Sequence, residues 1–322
     1  MTRVLAVDAR APLAASIEEA AGLLRAGELV AFATETVYGL GADATQADAV
    51  AKIFAAKGRP QSNPLIAHVS SVEMARAWAG AWPEVAEVLA TAFWPGPLTV
   101  IVPRSDRVTA AVSAGLDTVG LRVPEPLVAR AVIEALGRPV AAPSANRSEH
   151  VSPTTAQHVL DDLQGRLALV LDSGPTGVGI ESTVIDVTGS VPCVLRRGPV
   201  SLAALRAVLG AVDIAEQHVD HGAPQASPGQ GLRHYAPDVP CVRAEVSSYR
   251  GLPGDGVVSV GHAVAGAHAL LEPEDAAREL YAVLRQLESV GVERIVVLMP
   301  PETPQWAAVR DRLIRATVVA AP

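Results

Sequence analysis

Short apolar runs of strand length alternate with helix-length amphipathic stretches along residues 1–210, and this alternation restricts the chain to an α/β architecture. Strands are expected at Leu29–Ala33, Leu65–Val69, Leu98–Pro103, Thr118–Val123, Val140–Ala142, Leu167–Leu171, Ser182–Val187 and Cys193–Arg196. Helices are expected over Ser16–Ala26, Ala47–Ala56, Val72–Ala79, Glu84–Phe93, Leu127–Leu136, Thr154–Leu163 and Leu202–Leu209. The two final strand runs read as a hairpin, so the expected sheet is large, twisted and mixed, with flanking helices. From about Val212 to Pro240 the apolar period fades. There the stretch Ala223–Gly231 reads as an irregular Pro- and Gly-rich linker that ends at His234-Tyr235-Ala236-Pro237. Strand patterns return at Val239–Ala244, Gly256–Val260 and Arg294–Leu298, with helices over Pro273–Ser289 and Gln305–Ala316. A chain of 322 residues exceeds one ordinary core. The expected division is therefore a first domain at 1–210, a linker at 211–237, and a small Rossmann-like α/β domain at 238–322.

The hydrophobic share of 49% is ample for two cores. No apolar run reaches the roughly 18–20 residues that a membrane span needs, and the start is too soon acidic for a secretory signal. Cys193 and Cys241 are isolated, which offers neither zinc spacing nor a disulfide framework and suits a reducing cytoplasm. A net charge of −8 argues against a general nucleic-acid coat but leaves room for a local basic groove. Lys52 and Lys57 are the only lysines among 26 basic residues.

The chemistry concentrates between Thr34 and His68. Thr-Glu-Thr-Val-Tyr-Gly-Leu-Gly follows the first strand, and Lys57-Gly-Arg59-Pro-Gln-Ser-Asn63-Pro-Leu-Ile-Ala-His68 follows a helix. Hydroxyls at a strand exit, glycines at 39 and 41 that admit close approach, and Lys, Arg, Asn and His within twelve residues describe a polyanion site built from side chains. Ser152-Pro153-Thr154 reads as a helix start, with Ser152 as N-cap and free N–H groups that would seat phosphate. Arg122 lies inside an apolar strand and must find an anion, either a structural carboxylate or a substrate one. Ser182 and Thr183 open another strand, and Arg196 closes one. No Ser-His-Asp or Cys-His triad, His/Cys metal cluster or Walker-type loop stands out.

Eight motifs run in one order: Thr-Glu-Thr-Val-Tyr-Gly-Leu-Gly, Lys-Gly-Arg-Pro-x-x-Asn-Pro-Leu, Gly-Pro-Leu-Thr, Gly-Leu-Arg-Val-Pro, Ala-Pro-Ser-Ala-Asn, Ser-Pro-Thr, Glu-Ser-Thr-Val-Ile-Asp and Leu-Arg-x-Gly. Together they resemble the L-threonylcarbamoyladenylate synthases, the YrdC-like family, over roughly residues 10–210. The His-Tyr-Ala-Pro linker and the α/β tail resemble the longer, two-domain type. The resemblance implies a nucleotidyltransferase that joins L-threonine, bicarbonate and ATP into threonylcarbamoyl-AMP and pyrophosphate. It also implies a downstream tRNA threonylcarbamoyl transferase complex that modifies adenosine 37 of tRNAs reading codons that begin with A, with direct tRNA contact left open.

Carried over by position, Thr36, His68, Arg122, Ala142 and Ser182 would hold threonine. Arg59, Asn63, Thr118, Ser144, Ser152, Arg196 and Tyr235 would hold ATP, and Lys57 and Arg59 would offset charge as pyrophosphate leaves. No protein metal site or organic cofactor is implied, and Mg²⁺ would ride on the ATP phosphates. Tyr235 on the linker would make that segment a lid.

Departures from the family pattern are Ala33 where proline is usual, Asn146-Arg-Ser-Glu149-His150 before the Ser-Pro-Thr segment, and Pro304-Gln305-Trp306 in place of a Gly-rich tail. The competing readings are a non-catalytic module for double-stranded RNA or tRNA, and a carbamoyl-transfer protein of hydrogenase maturation. The acidic net charge weighs against the first, and two lone cysteines against the second.

Overall fold

A computed structural model describes residues 1–215, 234–247, 249 and 251–319. The linker read at Ala223–Gly231 lies outside the described residues. Eleven strands form the first sheet: β1 (Arg3–Ala6), β2 (Val30–Ala33), β3 (Tyr38–Asp43), β4 (Ile66–His68), β5 (Leu98–Pro103), β6 (Thr118–Arg122), β7 (Val140–Ala141), β8 (Leu169–Asp172), β9 (Thr183–Asp186), β10 (Cys193–Arg196) and β11 (Asp213–Ile214). Their order across the sheet is β1-β8-β2-β3-β7-β4-β6-β5-β9-β10-β11. Parallel and antiparallel pairs mix, and β9 and β10 form the expected hairpin.

Alternation along β2 shows how the sheet is covered. Val30 and Phe32 join a cluster with residues of α1 (Ala14–Arg25) and α5 (Leu127–Leu136). Leu29, Ala31 and Ala33 join the larger cluster on the opposite face. That cluster includes residues of α2 (Ala47–Lys57), α4 (Glu84–Phe93), α6 (Ala156–Leu163) and α7 (Leu202–Leu209), and α3 (Val72–Trp78) packs at its margin. A strand buried on both faces needs apolar residues at every position, which is why β2 reads as an unbroken apolar run.

Two sequence expectations need correction. The segment after β2 does not leave the sheet: Thr34 Oγ caps a tight turn, accepting from the N–H groups of Thr36 and Val37 and donating to Val37 O at 2.7 Å. The chain then returns as β3, antiparallel to β2. Gly41 accordingly serves packing rather than a ligand, since a Cβ there would lie 2.8 Å from Phe32 and 2.9 Å from Val140. The second correction concerns the helix near residue 152. It begins at Ala156, and Thr155 is its N-cap, accepting from His158 N–H. Ser152 lies before that helix and does not cap it.

The second sheet is wholly parallel, in the order β14-β13-β15-β12-β16, from β12 (Cys241–Ala244), β13 (Asp255–Val260), β14 (His268–Leu270), β15 (Arg294–Leu298) and β16 (Val318–Val319). Helices α8 (Pro273–Ser289) and α9 (Ala307–Ala316) cover it, the latter after a 3-10 turn at Pro304–Trp306. Its core is continuous with Val37, Val151, Ile180 and Tyr235 from the rest of the chain.

Buried charge fastens α8 against the first sheet's helices. Arg285 donates to Asp162 at 2.7 Å and to Val151 O, while His150 bridges Asp162 at 3.2 Å and Glu288 at 3.1 Å. Burial alone would make the His150 imidazole less basic, but the two carboxylates outweigh it and raise its pKa. Gly179 marks the tightest approach. It has φ +84, and a Cβ there would fall 2.4–2.5 Å from the backbone of Ala277 and Arg278 on α8. Gly179→Ala should lower unfolding stability by roughly 2–4 kcal/mol through left-handed strain and overpacking together, as read from urea denaturation midpoints.

Candidate active site

Residues on or beside the ends of six strands of the first sheet, β3, β7, β4, β6, β9 and β10, come to one place. The resulting cleft of about 530 Å³ is lined by Thr34, Thr36, Val37 and Gly39 at the β2–β3 turn, and by Arg59, Ile66 and His68 around β4. Arg122 at the end of β6, Ala142-Pro143-Ser144 after β7, Glu181-Ser182 before β9 and Arg196 at the end of β10 continue the wall. His234 and Tyr235 close it.

Nine sequence-selected residues line this space: Thr36, Arg59, His68, Arg122, Ala142, Ser144, Ser182, Arg196 and Tyr235. Thr118 lies instead in an adjoining cavity of about 300 Å³, which shares Ile66 with the main cleft. Asn63 lines neither cavity. Its backbone oxygen accepts from Arg59 Nε at 3.3 Å, and its buried Oδ1 has no partner. Ser152 is fully buried and donates to Glu181 Oε1 at 2.6 Å. Lys57 is not among the lining residues. Its Nζ is caged by Ser144 O, Asn146 O and Asn146 Oδ1, so it pins the loop after β7 from behind.

The cleft is lined by three arginines that are themselves largely buried. Arg59 donates to Pro64 O at 3.0 Å, and burial lowers its pKa to about 10, which leaves it charged at neutral pH. Arg196 Nε and Nη2 donate to Ser182 O and Oγ at 3.0 Å each, and Ser182 Oγ also lies 2.8 Å from Thr99 Oγ1. For Arg122 the structure supplies an internal anion that sequence reasoning did not name. Glu35 lies 2.8 Å away, and Arg122 also donates to Thr36 Oγ1 at 3.0 Å and Gly96 O at 3.2 Å. An isolated buried guanidinium would be prohibitively costly; this one is paired yet still faces the cleft.

Two neutral imidazoles complete the wall. Burial, aided by the Arg122 charge, lowers the His68 pKa to about 3. Burial beside Arg59 and Lys57 holds His234 well below its ordinary value. Both Nδ1 atoms are buried without a partner. Orphaned polar atoms in a cleft wall suit a ligand that can satisfy them.

Sequence reasoning passed over Glu181 as a site residue, although it sits in the quoted Glu-Ser-Thr-Val-Ile-Asp motif. A carboxylate opening an apolar strand is the same signal that singled out Arg122. Glu181 accepts from Ser152, from Tyr281 OH at 3.0 Å and from Arg312 Nε at 2.7 Å. Tyr281 and Arg312 belong to α8 and α9, so their approach could not be read from local pattern. Tyr235 is seated between the cleft and these residues, its ring 5.8 Å from that of Tyr281 and 5.3 Å from the Arg312 guanidinium.

Among the described residues, the side chains grouped as metal ligands are His150, Asp238 and Glu288. They lie at the domain junction, outside the cleft lining, and take part in its ion pairs.

Fold and cleft together define a two-domain α/β protein with a buried, arginine-lined anion site. The family model described as Telomere recombination matches residues 22–198, and that described as Threonylcarbamoyl-AMP synthase, C-terminal domain matches residues 200–318. The chain is 40% identical to the threonylcarbamoyl-AMP synthase of Bacillus subtilis (strain 168), over 93% of this chain and 92% of that one. Pyrococcus abyssi Sua5 complexed with L-threonine superposes with a TM-score of 0.88 at 36% identity, covering 99% of this chain and 100% of that one. An H234A/Y235A variant of P. abyssi Sua5 superposes with a TM-score of 0.87 at 37% identity, covering 99% and 98%. The chain belongs to the threonylcarbamoyl-AMP synthase family, in its long two-domain form.

His68 gives the site an acid-sensitive signature. The unfolded imidazole takes a proton below about pH 6.5, whereas the folded one does so only near pH 3. Across that window the unfolded state binds the extra proton, so stability rises with pH and is lost on acidification, by up to about 1.4 kcal/mol per pH unit. His68→Gln should flatten the stability–pH slope between pH 5 and 6 by up to that amount, as read from urea unfolding of both proteins across pH.

Proposed function

We propose that this protein joins L-threonine, bicarbonate and ATP into threonylcarbamoyl-AMP, releasing pyrophosphate. The observation that carries this reading is the convergence of the buried Arg59, Arg122 and Arg196 around one cleft beside a neutral His68. Carbonyl and hydroxyl partners fix Arg59 and Arg196 without cancelling their charge, so the cleft suits a polyanion, while Arg122 is paired with Glu35. Membership of the family and the threonine-bound relative support the amino-acid half of the reading.

In this reading Thr36, His68, Arg122, Ala142 and Ser182 hold threonine, with Arg122 on its carboxylate. Neutral His68 offers its unpartnered Nδ1 as an acceptor to the amine or hydroxyl. Arg59, Ser144, Arg196 and Tyr235 surround the nucleotide, with Thr118 reaching it from the adjoining cavity and Asn63 acting through Arg59, whose Nε donates to its carbonyl. Ser152 acts on the same site through Glu181, and Lys57 acts through the loop it pins. The threonine amine bonds to the bicarbonate carbon with loss of water. A carbamate oxygen then attacks the α-phosphorus as the bond to the β-phosphate oxygen breaks, and pyrophosphate departs with that electron pair. Arg59 and Arg196 offset its charge, so the protein's part is positioning and electrostatics, with no covalent nucleophile.

Mg²⁺ would ride on the phosphates. The carboxylate lining the cleft, Glu181, is already engaged by Arg312, Tyr281 and Ser152. When bound, the ion adds charge stabilisation at the phosphoryl oxygens.

Residues 1–210 carry the chemistry, and the end of the 211–237 linker places Tyr235 as a lid that excludes water. Residues 238–322 hold that lid. The product is a mixed carbamic–phosphoric anhydride and requires a consuming acyl-transfer reaction, here a transferase complex that acts on tRNA adenosine 37. This assigns the protein to the cytoplasm, and no helix among the described residues is long and apolar enough to cross a membrane.

Mass spectrometry of a reaction with ATP, L-threonine and bicarbonate should show the threonylcarbamoyl adenylate; pyrophosphate release that ignores threonine would overturn the reading. Arg122→Ala should raise the threonine KM by roughly tenfold or more while moving the ATP KM far less. Equal losses for both substrates would remove Arg122 as the carboxylate partner.

A further inference from the structure

We propose that Arg312, on α9 of the C-terminal domain, is a positioning residue of the nucleotide cleft, acting as the counter-cation that masks the Glu181 carboxylate. The proposal rests on the reading of the cleft as an ATP site.

Among the described residues that line the cleft, Glu181 is the one carboxylate. A buried anion there is a hazard for a protein that must admit a polyphosphate, because little water screens the repulsion. Its two oxygens are nonetheless fully engaged. Oε1 accepts from Ser152, and Oε2 accepts from Tyr281 OH at 3.0 Å and Arg312 Nε at 2.7 Å. Arg312 is completely buried. Its Nη2 also donates to Glu181 O at 3.1 Å, and its Nη1 donates to Arg197 O at 2.9 Å and Asp311 Oδ2 at 2.7 Å. The guanidinium therefore grips the strand start that carries Glu181 and Ser182, and the strand end that carries Arg196. Arg196 is the other cation near Glu181, but two of its donors are spent on Ser182.

The consequence is a conditional cleft. Only with the second domain docked does Arg312 reach Glu181, leaving the arginines on the opposite walls to meet the phosphates without a competing carboxylate. Glu181 is kept because it orients Ser152 and receives Tyr281. It becomes compatible with a polyanion only when paired.

The test is a charge-compensation cycle read by calorimetric ATP binding and by separate KM values. Arg312→Met strands the carboxylate and should weaken ATP binding by roughly tenfold or more, with threonine KM within about twofold. The double variant Glu181→Gln/Arg312→Met removes both charges and should regain most of that loss, and Arg312→Lys should fall between native and Arg312→Met. A merely structural role predicts the opposite: the double variant would be no better than Arg312→Met, and both KM values would rise together. That result overturns the inference, as does native ATP affinity in Arg312→Met. Should Arg312→Met fail to fold, Arg312→Lys and the double variant decide the matter by the same split. Absence of ATP binding by the native protein would instead sink the nucleotide reading itself.

Discussion

Burying a group of cations around one cleft is the constraint on which the rest of this structure depends. Lys57, Arg59, Arg122, Arg196 and Arg312 are each less than a tenth exposed. Left alone in a low-dielectric interior, any one of them would cost more than a domain of this size can spare. The fold meets that cost mainly with backbone carbonyls: Ser144 and Asn146 for Lys57, Asn63 and Pro64 for Arg59, Gly96 for Arg122, Ser182 for Arg196 and Arg197 for Arg312. A carbonyl satisfies a donor and fixes its direction, yet leaves the net charge available to a ligand. Carboxylates enter as Glu35 beside Arg122 and as Glu181 and Asp311 beside Arg312.

This device explains the irregular segments of the first domain. The loops after α2, α4 and β7 present the carbonyls, and so their conformations are set by the cations they hold. The motifs rich in Pro, Gly and Asn at 57–64 and 142–146 are the chain's means of pointing oxygens inward without a regular ladder. The same logic reaches across the domain junction. Tyr235 stacks between the cleft and Tyr281, Arg312 grips Glu181, and Arg285 with His150 ties Asp162 and Glu288. The second domain is thereby part of the cleft's electrostatics, not an appendage beside it.

Much of the scaffold was legible in the chain. Helices at Glu84–Phe93, Leu127–Leu136, Leu202–Leu209 and Pro273–Ser289, and strands at Leu98–Pro103 and Cys193–Arg196, fall where the apolar periods place them. Strand β3 was missed because Tyr-Gly-Leu-Gly-Ala-Asp carries two glycines, which weaken a strand pattern unless neighbouring side chains need the room. Phe32 and Val140 need it at Gly41, and neither is near it in sequence. The N-cap expected at Ser152 failed for a related reason. Ser-Pro-Thr has the right local chemistry, but the serine hydroxyl is drawn to Glu181, and Thr155 takes the cap.

The sequence alone determined which residues would carry charge and hydroxyl chemistry, and in what order along the chain, because those signals are local. Arg122 inside an apolar strand demanded an anion whatever the fold. Tertiary structure decided which partner each received and which atoms were left to face the cleft. Glu35 meets Arg122 across 87 positions and Arg312 meets Glu181 across 131, as numbered in the chain. Lys57 turns away from the cleft wall into a cage of oxygens at 144–146. Hydrogen bonds and desolvation act over a few ångströms in space, so no local pattern could settle which buried charge would find which partner.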